Sequence, residues 1–320
     1  MGEPAGSEKA AQRRTERIRP VGPTLKKLPI APMDGWRMGG ISLEDIVPIL
    51  IGSVTSNFKP IRAGERDMPE VLASEIMAAA GARELRDGEV VVVGLGLPQV
   101  ACVLAKRTHA PGLSALLEIG VMNMSPIHTA VGLADARIWY RATCWSGFLD
   151  VMGMNVHRGV VDVGFLGALE IDRFGNINTT LVKDDSGRVR YVNGSAGGND
   201  IASLAKRVIM IMRHEKRKLP EAVAHLTSPG FVGGRSRQEL GLRGGGPYRL
   251  ITDMAVLGFD PDTHSATLVS LHPMVRLEDV VENTGFPLHI PKEVPTTALP
   301  SQEELRLLRE EIDPKGVYLR

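Results

Sequence analysis

The stretch that decides the fold is EVVVVGLGLP, residues 89–98. Its run of valines favours a β-strand, because β-branched side chains fit the pleated surface of a sheet. The glycines that follow, Gly94 and Gly96, permit a tight turn, and the segment from Gln99 to Thr108 then predicts a helix. A strand that passes through a glycine turn into a helix is the repeating unit of α/β domains.

Similar short apolar runs recur along the chain. The next one, Leu113 to Glu118, is again closed by a glycine, Gly120. Further predicted strands are 164–169, 208–212, 222–226, 250–256 and 266–271, and further predicted helices are 200–205, 277–282 and 301–311. Apolar runs that alternate with helices are typical of a parallel sheet covered on both faces. The sequence therefore predicts a three-layer α/β/α fold with a mostly parallel, open sheet.

Composition excludes several classes of function. Of the 320 residues, 43% are hydrophobic, so a sizeable core can be buried. An aromatic share of 4% and a net charge of +1 argue against nucleic-acid binding. No apolar run reaches the roughly 18 residues of a membrane span. The cysteines, Cys102 and Cys144, form neither a CxxC pair nor a zinc spacing, and the histidines show no metal spacing. We expect a cytoplasmic protein without a metal site.

The chain divides into three segments. Residues 1–32 are basic and interrupted by prolines, which predicts a flexible tail. Residues 33–66 are more apolar, with a cluster at 46–51, and are predicted to be an N-terminal extension that packs on the main domain or on a partner. Residues 67–320 form the predicted main domain.

Glu118 is a candidate nucleophile. In an open parallel sheet, ligands bind beyond the carboxyl ends of the strands, and Glu118 ends such a strand. Its apolar neighbours reduce hydration, and a partly desolvated carboxylate is the better nucleophile. The alternative is a glutamate that simply leaves the strand into solvent.

Two glycine-rich segments can present backbone N–H groups to a ligand. The GLGLP turn, 94–98, is no dinucleotide fingerprint, because Gln99 stands where the third glycine is needed. A tight strand-to-helix turn explains it without a ligand. The loop GSAGGN, 194–199, precedes a predicted helix and can hold an oxyanion, or it is a flexible loop.

Taken in order, these motifs resemble the class I CoA-transferases, most closely the beta-subunit type of glutaconate CoA-transferase. The resemblance runs from about Glu70 to Arg320. It rests on GLGLP at 94–98, AKRTHAP at 105–111, EIG at 118–120, DRFGNIN at 172–178, GSAGGN at 194–199, MRHEKR at 212–217, TSPGF at 227–231, ENTGF at 282–286 and EEIDP at 310–314. In two places the chain departs from the family pattern: Ile119 replaces a serine, and GSAGGN replaces a GSGGAN-like order.

The resemblance implies an enzyme that moves CoA between an acyl-CoA and a carboxylic acid. Glu118 would attack the thioester and carry a covalent glutamyl-CoA intermediate, while the amides of Gly197 and Gly198 stabilise the oxyanion. Coenzyme A is then a substrate, and no permanently bound cofactor is expected. The predicted contacts with coenzyme A are Gly94, Gly96, Gly120 and Asn199. The acids that compete with Glu118 are Glu170 and Asp172, which we expect to shape the pocket or cap a turn.

The resemblance covers one of two homologous halves, so it implies a homologous alpha subunit in a heterotetramer or larger assembly. Two alternatives stay open. The first is a subunit of a ring-cleaving CoA-thioester hydrolase of the steroid-degradation type, which the segments 270–273 and 299–314 would also suit. The second is a structural partner of a catalytic subunit. Residues 139–157 match the family poorly and are expected to form the pocket wall that sets substrate choice.

Overall fold

The computed structural model describes residues 60–61, 70–124, 130, 132, 135–183 and 186–320. The predicted tail, 1–32, lies outside the described residues. So does the predicted extension, 33–66, except for the strand Pro60–Ile61. The boundaries of these two segments, and of the main domain that follows them, stay predictions.

Short strands and helices alternate along the described chain. The strands are β1 Pro60–Ile61, β2 Val71–Leu72, β3 Val90–Val93, β4 Ser114–Leu117, β5 Val121–Met122, β6 Cys144–Trp145, β7 Val163–Gly167, β8 Glu170–Ile171, β9 Ile177–Asn178, β10 Leu181–Lys183, β11 Val189–Tyr191, β12 Arg207–Ile211, β13 Pro247–Ile251, β14 Ala255–Phe259 and β15 Ala266–Leu271. The α-helices are α1 Ala73–Arg83, α2 Leu97–Arg107, α3 Phe148–Val151, α4 Gly198–Leu204, α5 Leu277–Glu282 and α6 Gln302–Arg306. Helices α3 and α6 continue as π-helices, Met152–Val156 and Leu307–Ile312, and 3-10 turns occur at Ala136–Trp139, Lys216–Lys218 and Val232–Gly234.

The main sheet in the described part contains nine strands in the order β15–β14–β13–β12–β7–β3–β4–β5–β6. From β13 to β4, neighbouring strands run parallel. Antiparallel strands extend the sheet at both edges, β14 and β15 on one side and β5 and β6 on the other. The parallel centre places the carboxyl ends of β3, β4, β7 and β12 along one edge of the sheet.

Side chains alternate between the two faces of the sheet and build two core layers. Val91 and Val93 pack on one face with α1, α2 and the C-terminal π-helix. Val92, between them, packs on the opposite face with Met152, α4 and α5. Helices therefore cover both faces, and the predicted three-layer α/β/α fold is confirmed.

Two strand predictions were wrong. Residues 250–256 do not form one strand: β13 and β14 pair antiparallel, with Leu250 opposite Leu257. The Thr252 hydroxyl accepts a hydrogen bond from the N–H of Ala255 at 3.0 Å and closes the turn between the two strands, at the polar pair Thr252 and Asp253. Residues 222–226 form no strand, and the N–H of Ala224 donates to Glu170 Oε2 instead of to a neighbouring strand.

Candidate active site

Glu118 stands on a hairpin turn. The antiparallel pairing of β4 with β5 leaves Glu118, Ile119 and Gly120 as the connection between them. The N–H of Gly120 donates to the Leu117 carbonyl at 3.0 Å. Gly120 has a φ of +106°, and a Cβ atom there would lie 2.0 Å from the Ser146 carbonyl oxygen, so no larger residue fits. The predicted nucleophile is thus carried by a short, tightly constrained turn.

The glycine-rich loop reaches Glu118 from a distant part of the chain. The N–H of Gly197 donates a hydrogen bond of 2.8 Å to Glu118 Oε2, across 79 residues of sequence. Gly197 is buried and precedes the first residue of α4. A Cβ atom on Gly197 would lie 2.6 Å from the same oxygen, so the contact admits no side chain. The structure therefore brings together the predicted nucleophile and one predicted oxyanion donor.

Ala196 gives the loop its shape. Its φ of +43° lies in the left-handed region, which residues other than glycine rarely adopt. Gly197 follows with φ −77° and ψ −5°. A left-handed residue followed by a right-handed one turns successive N–H groups toward one side, and such a concavity binds anions. The GSGGAN-like order expected from the family resemblance has glycine at position 196 and alanine at position 198, so one of the two departures in this chain falls on the left-handed residue.

The two residues after Gly197 have other partners. The N–H of Gly198 donates to the Ser195 carbonyl at 2.7 Å, so it closes the turn of the loop rather than meeting Glu118. The Asn199 side-chain amide donates to the Thr227 carbonyl at 2.7 Å. In this conformation only Gly197, of the two predicted oxyanion donors, reaches the carboxylate. The predicted contact of Asn199 with coenzyme A stays a prediction.

A cavity of about 200 Å³ opens beside Glu118. It lies at the carboxyl ends of β3 and β7, where an open parallel sheet binds its ligands. Its apolar wall consists of Val92, Val93, Leu95, Leu166, Ile177 and Ile201, and its polar groups come from Thr179, Asn193, Ser195 and Ser228. The cavity is mainly apolar, with Glu118 on its border.

The predicted glycines lie at different distances from this cavity. Gly94 lines it, and Gly198 does too. Gly96 is the N-cap residue of α2, and a Cβ atom on it would lie 3.7 Å from the Tyr318 ring. Gly96 and Gly120 are not among the residues that line the cavity, so their contact with coenzyme A stays a prediction. Ile119 packs in an apolar cluster with Leu117 and Val121, away from the cavity.

The two competing acids have structural partners. Asp172 accepts the backbone N–H groups of Phe174 and Asn176 at 3.0 and 3.1 Å, which caps the turn, and burial raises the pKa of its carboxyl. Glu170 Oε2 accepts from the Asn178 side chain at 2.8 Å. Neither acid lines the cavity.

Arg237 connects the end of α4 to two neighbouring loops and was not predicted from the sequence. Its guanidinium donates to backbone carbonyls at the end of α4 and in two loops: Ala202 at 2.7 Å, Ser203 at 3.0 Å, Pro229 and Gly230 at 2.9 Å, and Gly244 at 3.1 Å. Burial lowers the pKa of Arg237 to about 10. The sequence could not indicate this role, because the acceptors of Arg237 are backbone carbonyls, which every residue type has.

The described ranges contain no group of three or more histidine, cysteine, aspartate or glutamate side chains arranged to bind a metal ion. Within the same ranges, no helix has the length and apolar character needed to cross a membrane.

Known proteins are similar to this chain in sequence and in fold. The family model described as Coenzyme A transferase matches residues 74–283, more than half of the chain. The B subunit of glutaconate CoA-transferase from Acidaminococcus fermentans is 35% identical over 252 residues, which cover 77% of this chain and 94% of that protein. The crystal structure of that transferase superposes with a TM-score of 0.72 at 33% identity, over 78% of this chain and 97% of that one.

Two further relatives differ in their named activities. The B subunit of 3-oxoadipate CoA-transferase from Pseudomonas knackmussii is 36% identical over 237 residues, 74% of this chain and 91% of that protein. The cholesterol ring-cleaving hydrolase IpdB subunit from Mycobacterium tuberculosis is 30% identical over 250 residues, 76% of this chain and 96% of that protein. The family match and the two transferase relatives confirm the assignment made from the motifs. The chain belongs to the coenzyme A transferase family.

Proposed function

We propose that this chain is the beta-type subunit of a two-subunit CoA-transferase and that Glu118 is its nucleophile. The observation that carries the proposal is the 2.8 Å hydrogen bond from the Gly197 N–H to Glu118 Oε2, on the border of an apolar cavity. A carboxylate held by one oxygen beside an apolar cavity keeps its second oxygen for attack on a thioester.

The reaction begins when Glu118 Oε1 attacks the thioester carbonyl of the acyl-CoA donor. The carbon–sulfur bond breaks, coenzyme A leaves as the thiolate, and an acyl-glutamyl anhydride remains. The thiolate then attacks Cδ of Glu118, the carboxylate of the former acyl group leaves, and a glutamyl-CoA thioester forms. An acceptor carboxylate runs the same steps in reverse. The energy of the thioester bond is retained throughout, because each step exchanges one activated carbonyl for another.

Gly197 has a defined role in this scheme. When the thiolate attacks Cδ of Glu118, negative charge develops on Oε2, the atom that already accepts the Gly197 N–H. Donors 2.7–3.1 Å from a developing oxyanion typically contribute about 2.7–4 kcal/mol to catalysis. The hydrogen bond of the resting enzyme is therefore in place for the tetrahedral intermediate.

The proposal includes a partner. The two transferase relatives are named as B subunits, which supports a homologous alpha subunit here, in a heterotetramer or larger assembly. Coenzyme A is a substrate in this proposal, together with an acyl group and a carboxylate acceptor, and no permanently bound cofactor is required. We also place the complex in the cytoplasm, since Cys102 and Cys144 are free thiols.

A ring-cleaving hydrolase is the second candidate, because the hydrolase relative from Mycobacterium tuberculosis is 30% identical over most of the chain. Analysing the acyl-CoA products formed with and without acetate as acceptor separates the two reactions. A transferase produces a new acyl-CoA when acetate is added. A ring-cleaving hydrolase leaves the acetate unchanged and alters only its cyclic substrate.

The direct test is covalent labelling of the purified complex. The complex is incubated with acetyl-, succinyl-, glutaryl- and benzoyl-CoA in turn, without an acceptor, and its peptides are analysed by mass spectrometry. Coenzyme A should appear on Glu118 and be released by hydroxylamine, while Glu118→Gln keeps the fold and loses the label. A label on Glu170 or Asp172 would contradict the proposal. Full activity of the Glu118→Gln complex would reduce this chain to the role of a structural partner.

A further inference from the structure

The Met152 side chain lies against the contact between Glu118 and Gly197. The point that a Cβ atom on Gly197 would occupy is 2.6 Å from Glu118 Oε2, 2.9 Å from Met152 Cε and 3.1 Å from Met152 Sδ. The thioether and the carboxylate oxygen therefore both lie close to the backbone of Gly197. Met152 is only 3% exposed, whereas Glu118 is half-buried. A buried thioether thus lies beside the glycine that donates its N–H to the half-buried carboxylate.

The segment that carries Met152 is fixed to the same turn as Glu118. The N–H and the hydroxyl of Ser146 both donate to the Gly120 carbonyl, at 2.8 and 3.1 Å. After α3 the chain widens into the π-helix Met152–Val156, and π turns occur frequently at functional sites. Beyond it, His157 Nε2 and Asp200 Oδ1 of α4 lie 3.1 Å apart in a hydrogen bond. Met152 is therefore held between the Glu118 turn and the helix that begins after Gly197.

Water competes with the acceptor carboxylate for the glutamyl-CoA thioester, and Met152 lies where it can affect this competition. If water attacks Cδ of the glutamyl-CoA thioester, the new carbon–oxygen bond replaces the carbon–sulfur bond and coenzyme A leaves as the thiolate. Of the two protons of the water, one goes to this thiolate and the other to the solvent. Glu118 returns to the carboxylate, and no acyl-CoA is made. A bound water needs space and two or more polar partners. The Gly197 N–H and Glu118 offer such partners, whereas a thioether fills the space and accepts hydrogen bonds only weakly.

We propose that Met152 excludes water from the Glu118 carboxylate and so sets the ratio of acyl transfer to hydrolysis. The inference rests on the proposed function, because it needs the glutamyl-CoA intermediate. Met152 is a specificity-determining residue in this sense: it selects between two nucleophiles, a carboxylate and water. It lies in the stretch 139–157, which the sequence predicts to form the pocket wall that sets substrate choice, although no residue of that stretch lines the cavity beside Glu118.

The test uses the intact two-subunit complex and its isolated covalent intermediate. The glutamyl-CoA form is made with the acyl-CoA that labels Glu118 best and is freed of substrate by gel filtration. Release of coenzyme A is then followed with a thiol reagent in buffer alone and with the matching carboxylate added. Met152→Ser should raise the rate in buffer, relative to the rate with carboxylate, by roughly tenfold. Met152→Leu has similar bulk and no polar atom, so its ratio should stay within about twofold of wild type.

Met154 provides the matched control, since it stands two residues further along the same π-helix and is 55% exposed. Met154→Ser should leave both rates unchanged. If Met152→Ser does not assemble with its partner, Met152→Gln, which is polar and close to methionine in size, takes its place.

An unchanged ratio in the polar variants, with the intermediate still forming, overturns the inference and leaves the proposed function intact. An equal rise of this ratio in Met152→Leu also overturns the inference, because looser packing around position 152 would then explain the effect. Failure of the wild-type complex to form any intermediate overturns the proposed function and the inference with it.

Discussion

Oε2 of Glu118 accepts the N–H of Gly197 at 2.8 Å, and a Cβ atom on Gly197 would lie 2.6 Å from that oxygen. The carboxylate and the loop backbone thus fit together only while position 197 lacks a side chain. Gly198 differs, because the nearest atom to its added Cβ is Ser228 Oγ at 3.7 Å. Adjacent glycines therefore have opposite tolerance for alanine.

Gly197→Ala should slow covalent labelling of Glu118 roughly 100-fold, because the new methyl group displaces the carboxylate from its donor. Gly198→Ala should label at the wild-type rate, and alanine in the first turn of α4 should raise the free energy of unfolding by up to about 1 kcal/mol. Labelling rates and urea titrations of both variants provide the measurements. Equal loss of labelling in the two would mean that the loop is only structural.

The left-handed conformation of Ala196 allows a second prediction. Ala196→Val should lower the free energy of unfolding by more than about 1 kcal/mol and slow labelling, since a β-branched residue tolerates positive φ poorly. Ala196→Gly should change stability by less than about 1 kcal/mol, because relief of strain and greater freedom of the unfolded chain offset one another. Comparable stability of the valine and glycine variants would show that the loop adopts another conformation in solution.

A buried ion pair joins the two ends of the main domain. Arg309 Nε and Nη2 donate to Glu75 Oε1 and Oε2 at 2.6 and 2.8 Å, and the Glu75 side chain is 1% exposed. Arg309→Ala should cost about 3–5 kcal/mol of unfolding free energy, because it leaves a buried carboxylate without its partner. Arg306→Ala is the control, since this arginine is 43% exposed and its surface ion pairs contribute about 1 kcal/mol or less. Equal decreases of the denaturant midpoint in both variants would show that the ion pair of Arg309 contributes no more to stability than the surface ion pairs of Arg306.

Two buried histidines should make the protein sensitive to acid. His214 bonds to the hydroxyl groups of Thr252 and Thr284 at 3.0 and 2.9 Å. His272 bonds to Thr297 Oγ1 at 3.0 Å and to the Thr252 carbonyl at 2.7 Å. Burial lowers the pKa of each imidazole from 6.5 to about 4.

Because the folded pKa lies below the unfolded value, the unfolded chain takes up protons first as the pH falls. Stability is therefore complete above pH 6.5 and is lost progressively toward pH 4, by on the order of 2 kcal/mol per histidine at pH 5. Urea unfolding at pH 7.5 and pH 5 measures this loss. His272→Gln should reduce it by about half. A variant with the wild-type pH dependence would show that His272 does not take up a proton when the chain unfolds. Burial raises the pKa of Asp253, but this carboxyl is present in both proteins, so its effect on the free energy of unfolding cancels in the comparison.

Much of the fold follows from local patterns. The valine run at 90–93 and the glycine turn after it fix β3 and the start of α2, because strand preference and turn geometry depend on adjacent residues. The turn at Thr252 was not predicted in the same way, since apolar residues continue on both sides of Thr252 and Asp253 and a side-chain hydroxyl closes the turn in place of the usual glycine.

In the candidate site, too, local sequence patterns predict some features and contacts between distant segments determine the others. Glu118 could be identified from its place after a strand and from the family motifs. Its hydrogen bond with Gly197, and the position of Met152 beside that glycine, could not, because they join segments far apart in the sequence and depend on the register of the sheet and of a π-helical turn. The engagement of the Gly198 amide with Ser195 likewise depends on the left-handed Ala196, at which alanine replaces the usual glycine.

The hairpin turn that carries Glu118 has a consequence for the speed of the reaction. Its arms are paired strands, and Gly120 is pressed against the Ser146 carbonyl, so the backbone of the connection has one conformation. Ordering a free segment of this length would cost about 1–2 kcal/mol per residue of conformational entropy. Here that entropy is lost once, when the protein folds, so in the proposed mechanism each approaching thioester would meet a nucleophile whose backbone is already ordered.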